Sequence, residues 1–404
     1  RSCGLAYPLS ATLSLIGAEG VFLLYSRSQT EGQRLLTCIP AMLLCYWCFG
    51  YGAWLCLALM LAAGIIAHHQ KLSALLAAGI LLLPATQYPA TTWWSKPDLD
   101  REYVLSLDVE HYFGNIQKMR KHLETDRQIL WVTYYRNLYN ATHPSEINSP
   151  VSLSRNLLAW NQPGTNGLIL PVNPSASFLS ILFANELWFT LGDMTMAEHC
   201  AMLSMIFSPR NSGSRMIKRL AEINLVNGDD EAALKYLRIL DKTLLHKSWA
   251  EKRIPGQQTP RVKEWLEKKR RDIPTQDHLR SGNDAVTSLR NLVASNAGNL
   301  RAYEYLLCYH LLSKDLRSFV EDYVPGKVSS SIFAEALLIH LARQGNIRAE
   351  ELIKYQIPVK IAKEFADYTR LYEAKDTSLK EKYGKTYWFY YHFATTEPGK
   401  ESKP

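Results

Sequence analysis

From Leu5 to Ala90 apolar residues run almost without interruption, and after Lys96 the chain turns polar and rich in Lys, Glu, Arg and Tyr. The apolar part carries Arg27, Arg34, Lys71, Glu31 and the isolated Glu19 as its charges. It divides into candidate spans at 5–25, 35–49, 53–67 and 72–90. The 33 residues from Leu35 to Ala67 would form one helix of roughly 50 Å, beyond a hydrocarbon core of about 30 Å, so a turn at Gly50-Tyr51-Gly52 is expected to split it. The loop of Arg27 and Arg34 and the loop His68-His69-Gln70-Lys71 then share one side, which the positive-inside rule makes cytoplasmic. The remainder of the chain is expected outside the cytoplasm, in a periplasm if the cell is Gram-negative. Tyr88, Trp93 and Trp94 fit an aromatic belt at the exit. Glu19 reads either as a functional group at membrane depth or as a tolerated interfacial residue.

The tail follows a helical period. In RLAEINLVNGDDEAALKYLRIL (219–240), Ala233, Tyr236, Leu237, Leu240 and then Leu244 fall on one helix face after Gly228-Asp229, and Leu220, Ile223 and Val226 form a stripe before it. Upstream, Gly192-Asp193 and Ala197 repeat the pattern at an offset of 36 residues (228 − 192 and 233 − 197). This helix–turn–helix unit resembles the tetratricopeptide repeat, with a small Ala at the helix crossing. Looser copies occupy 302–325 and 332–358, and one or two atypical units fit before residue 143. Such units bury their stripes only by stacking, which predicts a solenoid. The Pro/Gly/Asn-rich stretch 161–174 is expected to be a loop that could pack into the groove, and 253–283 a charged connection with a short helix in RVKEWLEKKRR. YWFYYHF (387–393) reads as a cap on the last helices or as an exposed aromatic ligand surface. The fold class is thus predicted to be all-α: a transmembrane helix bundle over 1–95, a tetratricopeptide-like α-solenoid over 96–375, and an aromatic capping segment and tail over 376–404.

Charge changes little in this picture. Of the formal +8, four basic against two acidic residues give +2 before Ser95, and the other +6 is spread over the tail. The dense run EKKRRD (267–272) reads as a solvated face before a nucleic-acid or acidic-lipid contact, and no nucleic-acid partner is expected. Five of the 7 Cys lie in the apolar part, where Cys45-Tyr-Trp-Cys48 reads as small apolar residues before a redox pair. The chain starts with Arg, so the apolar region is expected to be truncated at its N-terminus.

Catalytic motifs do not stand out: no Walker loop, G-x-S-x-G, H-E-x-x-H or paired C-x-x-C occurs. Asp108, Glu110 and His111 lack a second cluster to complete a metal shell and read as a solvent face. His199 and Cys200, adjacent on a helix, point too far apart for a nucleophile–base pair. Asn140-Ala-Thr142 would matter only in a eukaryotic secretory pathway. No cofactor, metal or catalytic residue is expected. Asn224, Asn227 and Tyr236, near the helix seam of the best repeat, are the candidate groove contacts.

The blocks SGSRMIKRLAEINLVNGDDEAALKYLRILDKTLLHKSWAE, AYEYLLCYHLLSKDLRSFVEDY and TYWFYYHF resemble an uncharacterised Bacteroidetes family of polytopic inner-membrane proteins. The resemblance spans most of 100–393 and implies a multi-span membrane region followed by a helical-repeat tail, with no assigned activity. The expected function is a membrane-anchored scaffold that holds a protein or peptide partner outside the cytoplasm. The alternative is the C-terminal part of a multi-span, lipid-linked sugar transferase whose catalytic loop precedes residue 1, and a third reading is a transport or secretion accessory subunit.

Overall fold

The structure, a computed structural model, describes residues 98–394 apart from 125–128, 144–152, 160, 163, 173–177, 208–212 and 276–283, together with Gly20, Leu23, Leu24, Ser26, Arg27 and Thr30. The chain divides into two compact units, 1–99 and 100–404.

Among the described residues every regular element is helical. Helices α1 (Asp98–Phe113), α2 (Ile116–Leu123) and α3 (Leu130–Thr142) precede the short α4 (Leu153–Asn156) and a 3-10 turn at Gly164–Gly167. Two hairpins follow, α5 (Phe178–Leu191) with α6 (Met194–Phe207) and α7 (Ser214–Asn227) with α8 (Asp230–Asp241), and α6 packs on α7. Next come α9 (Lys247–Glu251) against α8 and α10 (Pro260–Arg270) against α7. The last part contains α11 (Ala285–Ser295), α12 (Leu300–Leu312), α13 (Leu316–Asp322), α14 (Ser331–Arg343), α15 (Ala349–Lys354), α16 (Val359–Glu373), α17 (Leu379–Tyr383) and α18 (Tyr387–Phe393).

One turn chemistry makes the hairpins. Gly192 and Gly228 adopt left-handed φ of 92° and 83°. The next N–H, of Asp193 or Asp229, then donates back to Trp188 O (3.0 Å) or Asn224 O (2.9 Å). That bond closes the finished helix, and the same Asp caps the next one: Asp193 accepts from Met196 N (2.8 Å) and Asp229 from Ala232 N (2.9 Å). Ala197 and Ala233 are fully buried where the paired helices meet, as the close approach requires. The left-handed C-cap recurs at Lys314, with φ 59°, followed by Asp315 as N-cap on Ser318 N.

The packing departs from an open solenoid. In a stack of repeats each unit touches only its neighbours, whereas one apolar cluster here runs from Val104 to Trp388. Helix α4 lies against α3, α12 and α14, and the 3-10 turn lies against α3 and α12. Leu153, Leu157, Leu168 and Leu170 are buried there, so the segment expected to be a groove loop belongs to the core. A regular tetratricopeptide-like solenoid is therefore corrected to helical hairpins closed around a shared core. At the other end, Tyr387 and Trp388 are buried, and α18 packs on α14 and α17.

The membrane expectation is corrected as well. No helix among the described residues is long and apolar enough to cross a membrane. The longest, α1, has 16 residues and several charges; the most apolar, α5, has 14, about 21 Å against a core of about 30 Å. The transmembrane bundle, the inner-membrane location and the periplasmic tail derived from it are not supported. The spans proposed at 5–25, 35–49, 53–67 and 72–90 otherwise lie outside the described residues, as do His68, His69 and the Cys45–Cys48 pair.

Candidate functional site

Helical spacing gathers charge at one place. Asp108, His111 and Tyr112 share a face of α1; Glu186 and Phe189 are one turn apart on α5; Arg215, Lys218, Arg219 and Glu222 repeat at three and four residues along α7. Tyr135 of α3 completes the set.

Arg215 lies at the centre. Its Nη1 donates to Asp108 Oδ2 at 2.6 Å and its Nη2 to Asp108 Oδ1 at 2.9 Å, a two-pronged pair, while Nη2 also reaches Glu186 Oε1 at 2.8 Å. Arg219 Nη2 takes the other oxygen, Glu186 Oε2, at 2.5 Å, and its Nη1 pairs with Glu222 at 3.1 Å. The Tyr135 hydroxyl donates to Asp108 Oδ1 at 2.5 Å. Each oxygen of Asp108 and Glu186 thus accepts from a cation. Burial pushes Glu186 up, but Arg219 and Arg215 together outweigh it and hold the carboxyl well below its ordinary range. Burial pushes Arg215 down, and Asp108 with Glu186 reverse that and hold it well above its ordinary value. Burial, reinforced by the Asp108 charge, raises Tyr135. Burial lowers His111 against the pull of Glu186 and Asp108. The arrangement stores opposite charges in mutual contact; it leaves Asp108 and Glu186 no unclaimed oxygen with which to move a proton. Reading Asp108 as a solvent-face residue was wrong, because its partner Arg215 lies 107 residues later in the chain.

Around this clamp the cations meet rings. Arg215 lies 4.8 Å and Lys218 4.5 Å from the Tyr112 ring centre; Lys218 and Arg253 lie 5.0 and 4.1 Å from that of Trp249. Arg219 and Lys269 both lie over Phe189, at 3.9 and 4.6 Å. Burial, with Arg219 and Arg301 adding to it, pushes Lys269 down to about 8. The EKKRRD run is the end of α10 rather than a free loop: Arg270 donates to Val226 O (3.0 Å) and Leu225 O (2.8 Å), closing the C-terminus of α7.

The proposed groove residues occupy three environments. Asn224 is buried and donates its amide to Leu220 O of its own helix at 2.7 Å. Asn227 ends α7 and is exposed. Tyr236 is half-buried and packs on two small clusters, one of Ala221, Leu237, Leu240 and Ala250, the other of Ala201, Met216 and Leu220. Met205 of α6 packs on the second of these, and beyond it Met202 and Ile206 (63% exposed) stand open one turn apart, with Phe207 exposed beside Ile206. The amphipathic signal of α6 was hidden because both its faces are apolar. No group of three or more metal-ligating side chains occurs among the described residues; Cys200 and Cys308 are buried and form no disulfide.

A family model described as a family of unknown function (DUF6057) matches residues 1–94 and 72–394. No curated protein and no solved structure matches the chain. The expected resemblance is met as far as an uncharacterised family; the match carries no membrane span, tetratricopeptide repeat or bacterial group.

Proposed function

We propose, for a chain that belongs to this family of unknown function, that the helical unit from residue 100 onward is a protein-binding scaffold. The observation that supports it is the exposed stripe Met202, Ile206 and Phe207 on α6. Exposed apolar side chains grouped at the end of a helix that already buries its opposite face are what a partner's amphipathic helix would cover. Tyr236 borders the stripe through the Ala201, Met216 and Leu220 cluster, so it is the one sequence-derived contact that fits this reading. The buried charges favour the same conclusion, since Asp108, Glu186, Arg215 and Arg219 satisfy one another and hold helices in register.

A photoreactive residue at position 206 tests the proposal in cells. A single defined protein adduct, lost when Phe207→Glu is added, is expected. Adducts scattered over abundant proteins and insensitive to Phe207→Glu would reject it.

A further inference from the structure

The cation–ring ladder runs Arg215, Tyr112, Lys218, Trp249, Arg253 across α7, α1 and the end of α9, with successive distances of 4.8, 4.5, 5.0 and 4.1 Å. Its three cations are not equivalent. Arg215 is neutralised by Asp108 and Glu186. Lys218 donates to the Tyr112 hydroxyl at 3.0 Å and Arg253 to Trp249 O at 3.3 Å, but neither pairs with a carboxylate among the described residues. The closest acid on α7, Glu222, is taken by Arg219. Arg253 Nε is buried with no hydrogen-bond partner. Burial lowers Arg253, Glu222 opposing and Arg261 adding, and burial with the Lys218 charge lowers His246. Arg253 has lost water and faces only Glu222, whose carboxylate is already paired with Arg219, and Lys218 is half-buried with no carboxylate paired to it among the described residues; an incoming carboxylate would supply the missing counter-charge. Just before α9, Leu244 and Leu245 are 97% and 67% exposed.

We infer that Lys218, Arg253 and the Leu244–Leu245 pair form a docking surface for an acidic amphipathic helix, its carboxylates meeting the ladder and its leucines the exposed pair. Charge complementarity identifies the occupant, and the rings exclude the main rival. Bases of a single-stranded nucleic acid bind by stacking on open aromatic faces, and both Tyr112 and Trp249 already hold two cations each. The inference rests on the scaffold reading and names the chemistry of one partner surface.

The test uses the full chain and three fluorescein-labelled probes: a synthetic Glu/Leu amphipathic peptide, the same peptide with Gln for every Glu, and an oligo-thymidine. The Glu/Leu peptide is expected to bind, to change the tryptophan emission of the parent chain but not of Trp249→Phe, and to lose at least ten-fold in affinity in Lys218→Gln/Arg253→Gln and in Leu244→Ser/Leu245→Ser. The Gln peptide is expected to bind at least ten-fold more weakly. Circular-dichroism melts of each variant that match the parent chain confirm that the fold is kept. Equal binding of the Glu and Gln peptides, affinity indifferent to Lys218→Gln/Arg253→Gln, or tighter binding of oligo-thymidine would each overturn the inference. A peptide whose binding is lost in Ile206→Glu but not in the ladder variants overturns the acidic surface and leaves the scaffold reading standing. Absence of any defined adduct at position 206 in the parent chain, with ladder binding intact, overturns the α6 stripe as a partner surface and leaves the acidic surface standing.

Discussion

Glu304 Oε1 accepts both the backbone N–H (2.9 Å) and the hydroxyl (2.6 Å) of Ser154, a residue 150 positions earlier. Both are fully enclosed, and the pair locks α4 against α12. The other oxygen, Glu304 Oε2, is buried without a hydrogen-bond partner. Burial raises the Glu304 carboxyl, and the bonds from Ser154 oppose it.

Glu304→Ala is expected to strand the Ser154 N–H in the core and to destabilise the unit by about 2–4 kcal/mol in chemical denaturation. Glu304→Gln keeps the acceptor and should cost about 1 kcal/mol or less. Equal losses for the two substitutions would show that volume, not the acceptor, is what matters at this position.

The two hairpin glycines should respond unequally to alanine. Both carry positive φ, but a Cβ at Gly192 would run into the backbone carbonyl of Asp272, whereas one at Gly228 would meet nothing within 4 Å. Gly228→Ala is expected to cost about 1–2 kcal/mol from backbone strain alone. Gly192→Ala should cost clearly more, because the Asn299 amide holds Asp272 O (2.9 Å) and Leu191 O (2.7 Å) and so prevents the chain from backing away. Urea midpoints compare the two directly, and a smaller loss at Gly192 would contradict the packing.

Arg215→Ala leaves Asp108 and Glu186 buried without their shared cation and should destabilise by about 3–5 kcal/mol. Glu186 also sets an acid limb. A carboxyl lowered on folding contributes stability above its unfolded value, near 4.5, and loses it as pH falls through the native value. Stability measured from pH 6 to pH 2 is therefore expected to fall in the parent chain and to fall less steeply in Arg215→Ala. Parallel curves would mean that Glu186 is not held ionised by this guanidinium.

Glu335 should show the opposite sign. It accepts the backbone N–H of Tyr387 at 2.6 Å, at the start of α18, and burial raises it to about 7, the Tyr387 bond opposing and Glu364 adding. Its contribution is complete below the unfolded value near 4.5 and is lost as pH rises through about 7, on the order of 2–3 kcal/mol in all. Hydrogen exchange at the Tyr387 amide is expected to quicken between pH 6 and pH 8 beyond the ordinary effect of base, and Glu335→Gln should remove the excess. An unchanged excess in that variant would assign the opening to another group.

Some of this was legible in the residues and some was not. The α5–α6 and α7–α8 hairpins could be read because a left-handed Gly followed by a capping Asp is a local signal. The same turn at Lys314-Asp315 could not, since nothing about Lys announces φ of 59°. The short helix in RVKEWLEKKRR was visible in its composition, but Arg270 closing α7 was not, because the carbonyls it caps lie more than forty residues away. Asp108 looked solvated for the same reason: the burial of a charge depends on a distant partner that no window of sequence contains. Asn224 shows the converse, a residue chosen for a groove that instead spends its amide on its own helix. Apolar length is a poor guide by itself, since α5, 14 residues whose one charge is Glu186, is a buried core helix.

The placement of α4 also sets a timetable for the nascent chain. Leu153 and Ser154 leave the ribosome some 150 residues before Glu304, which at ordinary rates of synthesis is a wait of roughly 8–30 s. Through that interval α4 and the 3-10 turn have a greasy flank that α12 and α14 have yet to close, and that is when a chaperone would find the protein easiest to hold.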